Sequence, residues 1–235
     1  MDRFERIDIH RLIYNGLEHI EFELNRTSTS YARIAREAHQ VLYRSMISAL
    51  RGTSNITVTG KRTGNREHRY QFDNESIKEI HKADISGCKY AWRYSVPRDV
   101  ASFLQLKQTH NLEEDYLIAF YDALAMVQAD CFMRRTDESR HVVVSDEEMR
   151  LLERLHEEIR NEYEHFVPKG SSYEVLLLLE STKLALAKSY ACLFESNNVS
   201  YYAHSVAQSD MQSRLNNTIA LVNSHRDVAA AGART

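Results

Sequence analysis

A chain of 235 residues is long enough to bury a substantial core, and 43% hydrophobic against 27% charged residues excludes a disordered polypeptide. Only 7 Gly and 2 Pro occur, too few punctuators for a sandwich or barrel, whose many turns need them. The net charge of −3 excludes a polycation, so nucleic-acid binding requires a local basic patch.

The three cysteines, Cys88, Cys131 and Cys192, are far apart and odd in number. They form neither a metal-type spacing nor a disulfide framework, which suits a reducing, cytoplasmic setting. The start, Met1-Asp2-Arg3-Phe4-Glu5-Arg6, is charged and has no apolar signal core. No run reaches the roughly 18 apolar residues of a membrane span, so no membrane partner is expected.

In chain order, Ile9, Leu12, Ile13, Leu17, Ile20 and Leu24 fall on one face of a helix over 8–25. Thr27-Ser28-Thr29-Ser30 supplies N-cap chemistry for a second helix. Its face holds Ile34, Ala38, Val41, Leu42, Ser45 and Ala49, and Arg51-Gly52 stops it. Ile56-Thr57-Val58-Thr59 then alternates with period two, turn residues Thr63-Gly64-Asn65 follow, and His68-Arg69-Tyr70-Gln71-Phe72 alternates again. This predicts a β-hairpin over about 55–72, leaning on the helices through Ile56, Val58, Tyr70 and Phe72. Lys61, Arg62, Arg66 and Arg69 concentrate positive charge near its tip, a patch suited to RNA phosphates, or simply a solvated, edge-protecting hairpin end. Tyr90, Trp92 and Tyr94 read as core or interface aromatics.

Short helices are expected over 74–83 and from Pro97 to about 107. Asn111-Leu112-Glu113-Glu114 predicts a helix start, with a helix running to about 134. Ser145-Asp146-Glu147-Glu148 is a capping box opening a helix to about 166, which Pro168 and Gly170 end. Ser171-Ser172-Tyr173-Glu174 is a second box, before an apolar helix to about 195. A last helix spans about 199–224. The economical architecture is mainly α: one antiparallel helical bundle over 1–228 with the hairpin as an insertion, and a flexible tail at 229–235. The charged stretch Arg134 to Arg140 marks a hinge between 135 and 145.

The chemically suggestive run is Ile159-Arg160-Asn161-Glu162-Tyr163-Glu164-His165. A guanidinium grips phosphate oxygens with a fork of donors and stays charged. An imidazole exchanges a proton near neutral pH. On RNA the 2′-hydroxyl serves as nucleophile, so neither a metal nor a cofactor is required. Five residues on a regular helix turn about 500°, which leaves Arg160 and His165 roughly 140° apart. Asn161 and His165, at i and i+4, share a stripe, so Asn161 is placed to orient the imidazole. Arg160 joins them only if the helix distorts or a second subunit supplies the missing group. The plainer alternative pairs Arg160 with Glu164 on a solvated face.

Arg160-Asn161-x-x-x-His165, late on one helix and followed by a loop and an apolar helix, resembles the signature of the HEPN superfamily. Its members are compact helical bundles, commonly dimers, and many are ribonucleases of toxin–antitoxin, antiphage and RNA-processing systems. The resemblance implies a metal-independent endoribonuclease with Arg160 and His165 catalytic and Asn161 as their polar neighbour. It also implies RNA as substrate, a composite site at a homodimer interface, and an antitoxin or defence-system partner. One branch carries a Tyr two residues after the His that an antitoxin modifies; Val167 stands there in this chain. The alternative is a non-catalytic helical dimer serving as a scaffold or interaction protein.

Glu-x-x-His also recurs, at Glu138/His141, Glu153/His156 and Glu162/His165. That is the spacing of di-iron bundles, but two copies share one helix about 180° apart, so no metal site is expected.

Overall fold

The computed structural model describes residues 8–51, 58–60, 116–161, 172–202 and 205–232. Helix α1, Ile9–Leu24, starts at Asp8, whose carboxylate accepts the Arg11 N–H at 2.9 Å. Its stripe of Ile13, Leu17, Ile20 and Leu24 is buried, as the periodicity predicts. Each such aliphatic side chain contributes about 1.5–3 kcal/mol on burial. Glu23 is buried at the end of α1 and clamps the turn to the next helix. Its carboxylate accepts the Ser30 N–H at 3.0 Å and binds Arg26 at 3.0 Å and Arg33 at 3.2 Å. Burial acts to raise the pKa of Glu23, but the Ser30 N–H and the two arginines outweigh it and hold the group below the usual carboxylate value.

Helix α2, Tyr31–Arg51, is the central element, and the predicted stop at Gly52 lies outside the described residues. It buries residues around much of its circumference, from Ile34 and Ala35 to Ala49 and Leu50, because α1 and later helices cover it on different sides. The α1–α2 approach is close at Gly16, where a Cβ would fall 2.8 Å from Val41 Cγ2.

The two-residue strand β1, Thr59–Gly60, pairs antiparallel with β2, Tyr116–Leu117. Val58 is buried against the helices, as expected of this segment. Its described end thus pairs with residues 116–117. The rest of the expected hairpin, the aromatics Tyr90, Trp92 and Tyr94, and the helices expected over 74–83 and 97–107 lie outside the described residues.

The long helix expected to end near 134 is divided. Residues 116 and 117 are strand, and helix α3, Phe120–Val127, starts where the Asp122 carboxylate accepts the Ala119 N–H at 3.2 Å. It stops because the Val127 carbonyl accepts the Val142 N–H at 2.8 Å from a later segment. A single turn, α4, Asp130–Met133, follows. The expected hinge is pinned instead of loose: Ser139 donates to Asn198 Oδ1 at 2.9 Å, and Asn198 Nδ2 donates to the Met133 carbonyl at 2.7 Å.

Helix α5, Asp146–Arg154, opens with the predicted box: Ser145 Oγ accepts the Glu148 N–H at 3.2 Å and Glu148 accepts the Ser145 N–H at 2.8 Å. It then widens into a π-wound turn, Leu155–Arg160. Helix α6, Val175–Tyr190, starts at Glu174, so the expected Ser171 box does not cap its first turn. It widens likewise over Ala191–Glu195 and ends at Asn197, whose φ of 56° is left-handed. Helix α7, Gln208–Gly232, begins about nine residues later than expected. Asp8 accounts for the delay: it accepts the Ser205 N–H at 2.9 Å and the Ser205 hydroxyl at 3.1 Å, holding the preceding segment to the start of α1. The helix continues through 229–232, where alanines favour it. Among the described residues, no helix is long and apolar enough to cross a membrane.

Candidate active site

The predicted site residues divide. Arg160 and Asn161 are described; His165, Glu162 and Glu164 lie outside the described residues, as do Lys61, Arg62, Arg66 and Arg69 of the basic hairpin. Arg160 closes the π-wound turn and Asn161 follows it. The helix is thus distorted ahead of Arg160, while the stretch from Arg160 to His165, whose winding sets the angle between the two, runs outside the described residues after Asn161. Hydrogen bonding from i to i+5 widens the turn, and such insertions recur at functional sites.

Asn161 engages the arginine. Arg160 Nη1 donates to Asn161 Oδ1 at 2.8 Å, and Asn161 Nδ2 reaches Glu157 Oε2 at 3.5 Å. The carboxamide thus orients one arm of the guanidinium fork, where the regular-helix reading assigned it to the imidazole of His165.

The π-wound turn also carries a residue set that sequence reading left out. His156 Nδ1 lies 2.8 Å from Nε2 of His39 on α2. Phe120 on α3 lies flat against His156, with ring centres 4.5 Å apart and planes 9° apart. It also stacks on His39 at 4.4 Å. Tyr121 meets His156 edge-on at 4.8 Å. The result is a clamped imidazole pair where α2, α3 and the π-wound turn meet. His39 is 2% exposed, whereas His156 and Arg160 are half-buried.

Burial pushes the His39 imidazole well below its ordinary pKa, and the nearby His156 and the charge of Arg160 push it the same way. His39 is therefore neutral across the physiological range. Chemically, the cluster offers a fixed guanidinium for an anion, beside an imidazole of fixed orientation.

Two sequence signals touched this set without assembling it. His156 appears in the Glu153/His156 spacing, and it stands four residues before Arg160. His39 lies beside Ala38 on the buried side of α2, where a histidine looks like ordinary core. Of the Glu-x-x-His pairs, His156 bonds His39 and His141 Nδ1 pairs with Asp130 at 2.7 Å, and Glu162/His165 lies outside the described residues. Among the described residues no group of three or more His, Cys, Asp or Glu side chains could hold a metal ion.

Comparison with protein-family models, with curated proteins and with solved structures finds no match to this chain.

Proposed function

We propose that this chain is a metal-independent endoribonuclease of HEPN type, acting as a homodimer on RNA in a toxin–antitoxin or antiphage setting. The observation that carries the reading is the Arg160–Asn161 bond on a π-wound turn: the motif's arginine is held by the motif's asparagine on a helix that departs from regular winding. Arg160 grips the scissile phosphate. His165 exchanges protons with the reacting oxygens. The O2′–P bond forms as O2′ loses its proton, and the P–O5′ bond breaks as O5′ gains one. The products are a 2′,3′-cyclic phosphate and a 5′-hydroxyl end. Asn161 is a positioning residue.

Incubation of the full chain with total RNA in a metal chelator tests this, comparing wild type with Arg160→Ala and His165→Ala. Cleavage by wild type and its loss in both variants is the expected result. Equal cleavage by all three removes this site. No cleavage by folded wild type favours the non-catalytic dimer.

A further inference from the structure

A guanidinium only donates hydrogen bonds and a carboxylate only accepts them, whereas a carboxamide does both from the two sides of one flat group. Asn161 stands between one of each. Its Oδ1 accepts Arg160 Nη1 at 2.8 Å, and its Nδ2 donates to Glu157 Oε2 at 3.5 Å. We propose that Glu157 is a further positioning residue of this site: it fixes which way the Asn161 carboxamide faces, and through that group it orients the guanidinium of Arg160. The role rests on the ribonuclease reading for its consequence, the alignment of Arg160 on an RNA phosphodiester.

Consecutive residues on a helix point about 100° apart, so an arginine and the asparagine after it do not meet by default. Here they do, where the π-wound turn ends. The contact works in only one of two carboxamide orientations. A half-turn about χ2 exchanges Oδ1 and Nδ2 and sets a donor against the guanidinium, which has no acceptor to offer. Without Glu157 that flip gives up one hydrogen bond. With Glu157 it gives up two, because the carboxylate then faces Oδ1.

Glu157 and the residue after it are placed differently. Glu158 is exposed and pairs with Arg154 at 3.4 Å, an ordinary surface pair four residues apart. Glu157 is half-buried, as are Arg160 and Asn161 three and four residues on. Water competes less for a charge-assisted bond in such a setting. The plain alternative is a Glu–Asn pair that steadies the turn and does nothing for the arginine. The two differ in what Glu157 does once the carboxamide is gone.

The test uses the full chain. The 15N order parameter of the Asn161 carboxamide should be high in the wild type, fall in Glu157→Ala and hold in Glu157→Gln, whose own amide oxygen accepts the same bond. In RNA cleavage, Glu157→Ala should lower kcat roughly three- to tenfold, the scale of one hydrogen bond, and Glu157→Gln should recover most of it. In an Asn161→Ala background, Glu157→Ala should change kcat no further. Asn161→Asp sets two carboxylates against each other. Adding Glu157→Gln, whose amide donates where the carboxylate repels, should raise kcat above that of Asn161→Asp alone. Urea unfolding shows that each variant is folded. An equally rigid carboxamide in folded Glu157→Ala overturns the inference and leaves the ribonuclease reading in place. So does an undiminished kcat in Glu157→Ala, or a loss that persists in full without Asn161. A wild type that cleaves nothing, with the carboxamide still released by Glu157→Ala, leaves the clamp and removes the ribonuclease reading.

Discussion

His39 and His156 stand 117 residues apart in sequence, yet Nε2 of one lies 2.8 Å from Nδ1 of the other, tying the central helix to the π-wound turn that ends in Arg160. This bond gives the turn a fixed side, and it makes the neutral state of His39 part of the stability of the fold.

The first prediction is a pH dependence of stability. The folded-state pKa of His39 lies well below 6.5, the value it regains on unfolding. Between those two values the unfolded chain binds a proton that the native chain does not. The contribution is therefore present in full above about pH 6.5 and is lost as the pH falls towards the folded value, at about 1.4 kcal/mol per pH unit. Urea titrations at several pH values between about 7 and 5 measure it. His39→Gln should flatten the slope by that amount; an unchanged slope contradicts the assignment.

A second prediction concerns the α1–α2 contact. Gly16→Ala adds a methyl 2.8 Å from Val41 Cγ2, inside van der Waals contact. Helix propensity favours alanine by about 1 kcal/mol, and overpacking costs about 1–3 kcal/mol. A net loss of about 1 kcal/mol is expected in urea unfolding. Combining it with Val41→Ala should give a double variant more stable than the sum of the two single losses. Strict additivity argues against the clash.

The thiol of Cys192 supplies a third. Burial pushes it up to about 12, against a smaller opposing effect of Lys188. Since the thiolate is the reactive species, iodoacetamide at about pH 8 should leave Cys192 unmodified in the native protein and alkylate it in urea. Peptide mapping reads the outcome, and rapid native labelling contradicts the buried placement.

On the ribonuclease reading, Arg160→Lys keeps a positive charge but loses the planar fork that Asn161 orients. It should lower kcat by about 10²- to 10³-fold, the scale of losing one fixed donor in a charged transition state. Asn161→Ala should fall in the same direction by less. Full activity in Arg160→Lys shows that charge alone suffices.

Helix positions with local causes were legible in the sequence. The stripe from Ile13 to Leu24 and the box at Ser145-Glu148 each depend on residues a turn or two apart. The break after Val127 and the late start of α7 were not, because their causes are distant: the Val142 N–H and the carboxylate of Asp8. The same division holds at the site. Arg160-Asn161 is a contiguous signal. His39 carries none, since a lone histidine on a buried face is indistinguishable from core until its partner is placed. The π-wound turn is silent for a related reason: its apolar positions, Leu155 and Ile159, keep ordinary helical spacing and remain buried.

The chemistry of the RNA ends tests the central claim most directly. Fragments made by the wild-type chain in a metal chelator, analysed by mass spectrometry, should carry 2′,3′-cyclic phosphates and 5′-hydroxyls, as attack by the RNA's own 2′-hydroxyl requires. Fragments ending in 3′-hydroxyls and 5′-phosphates, or no fragments from folded protein, would contradict it.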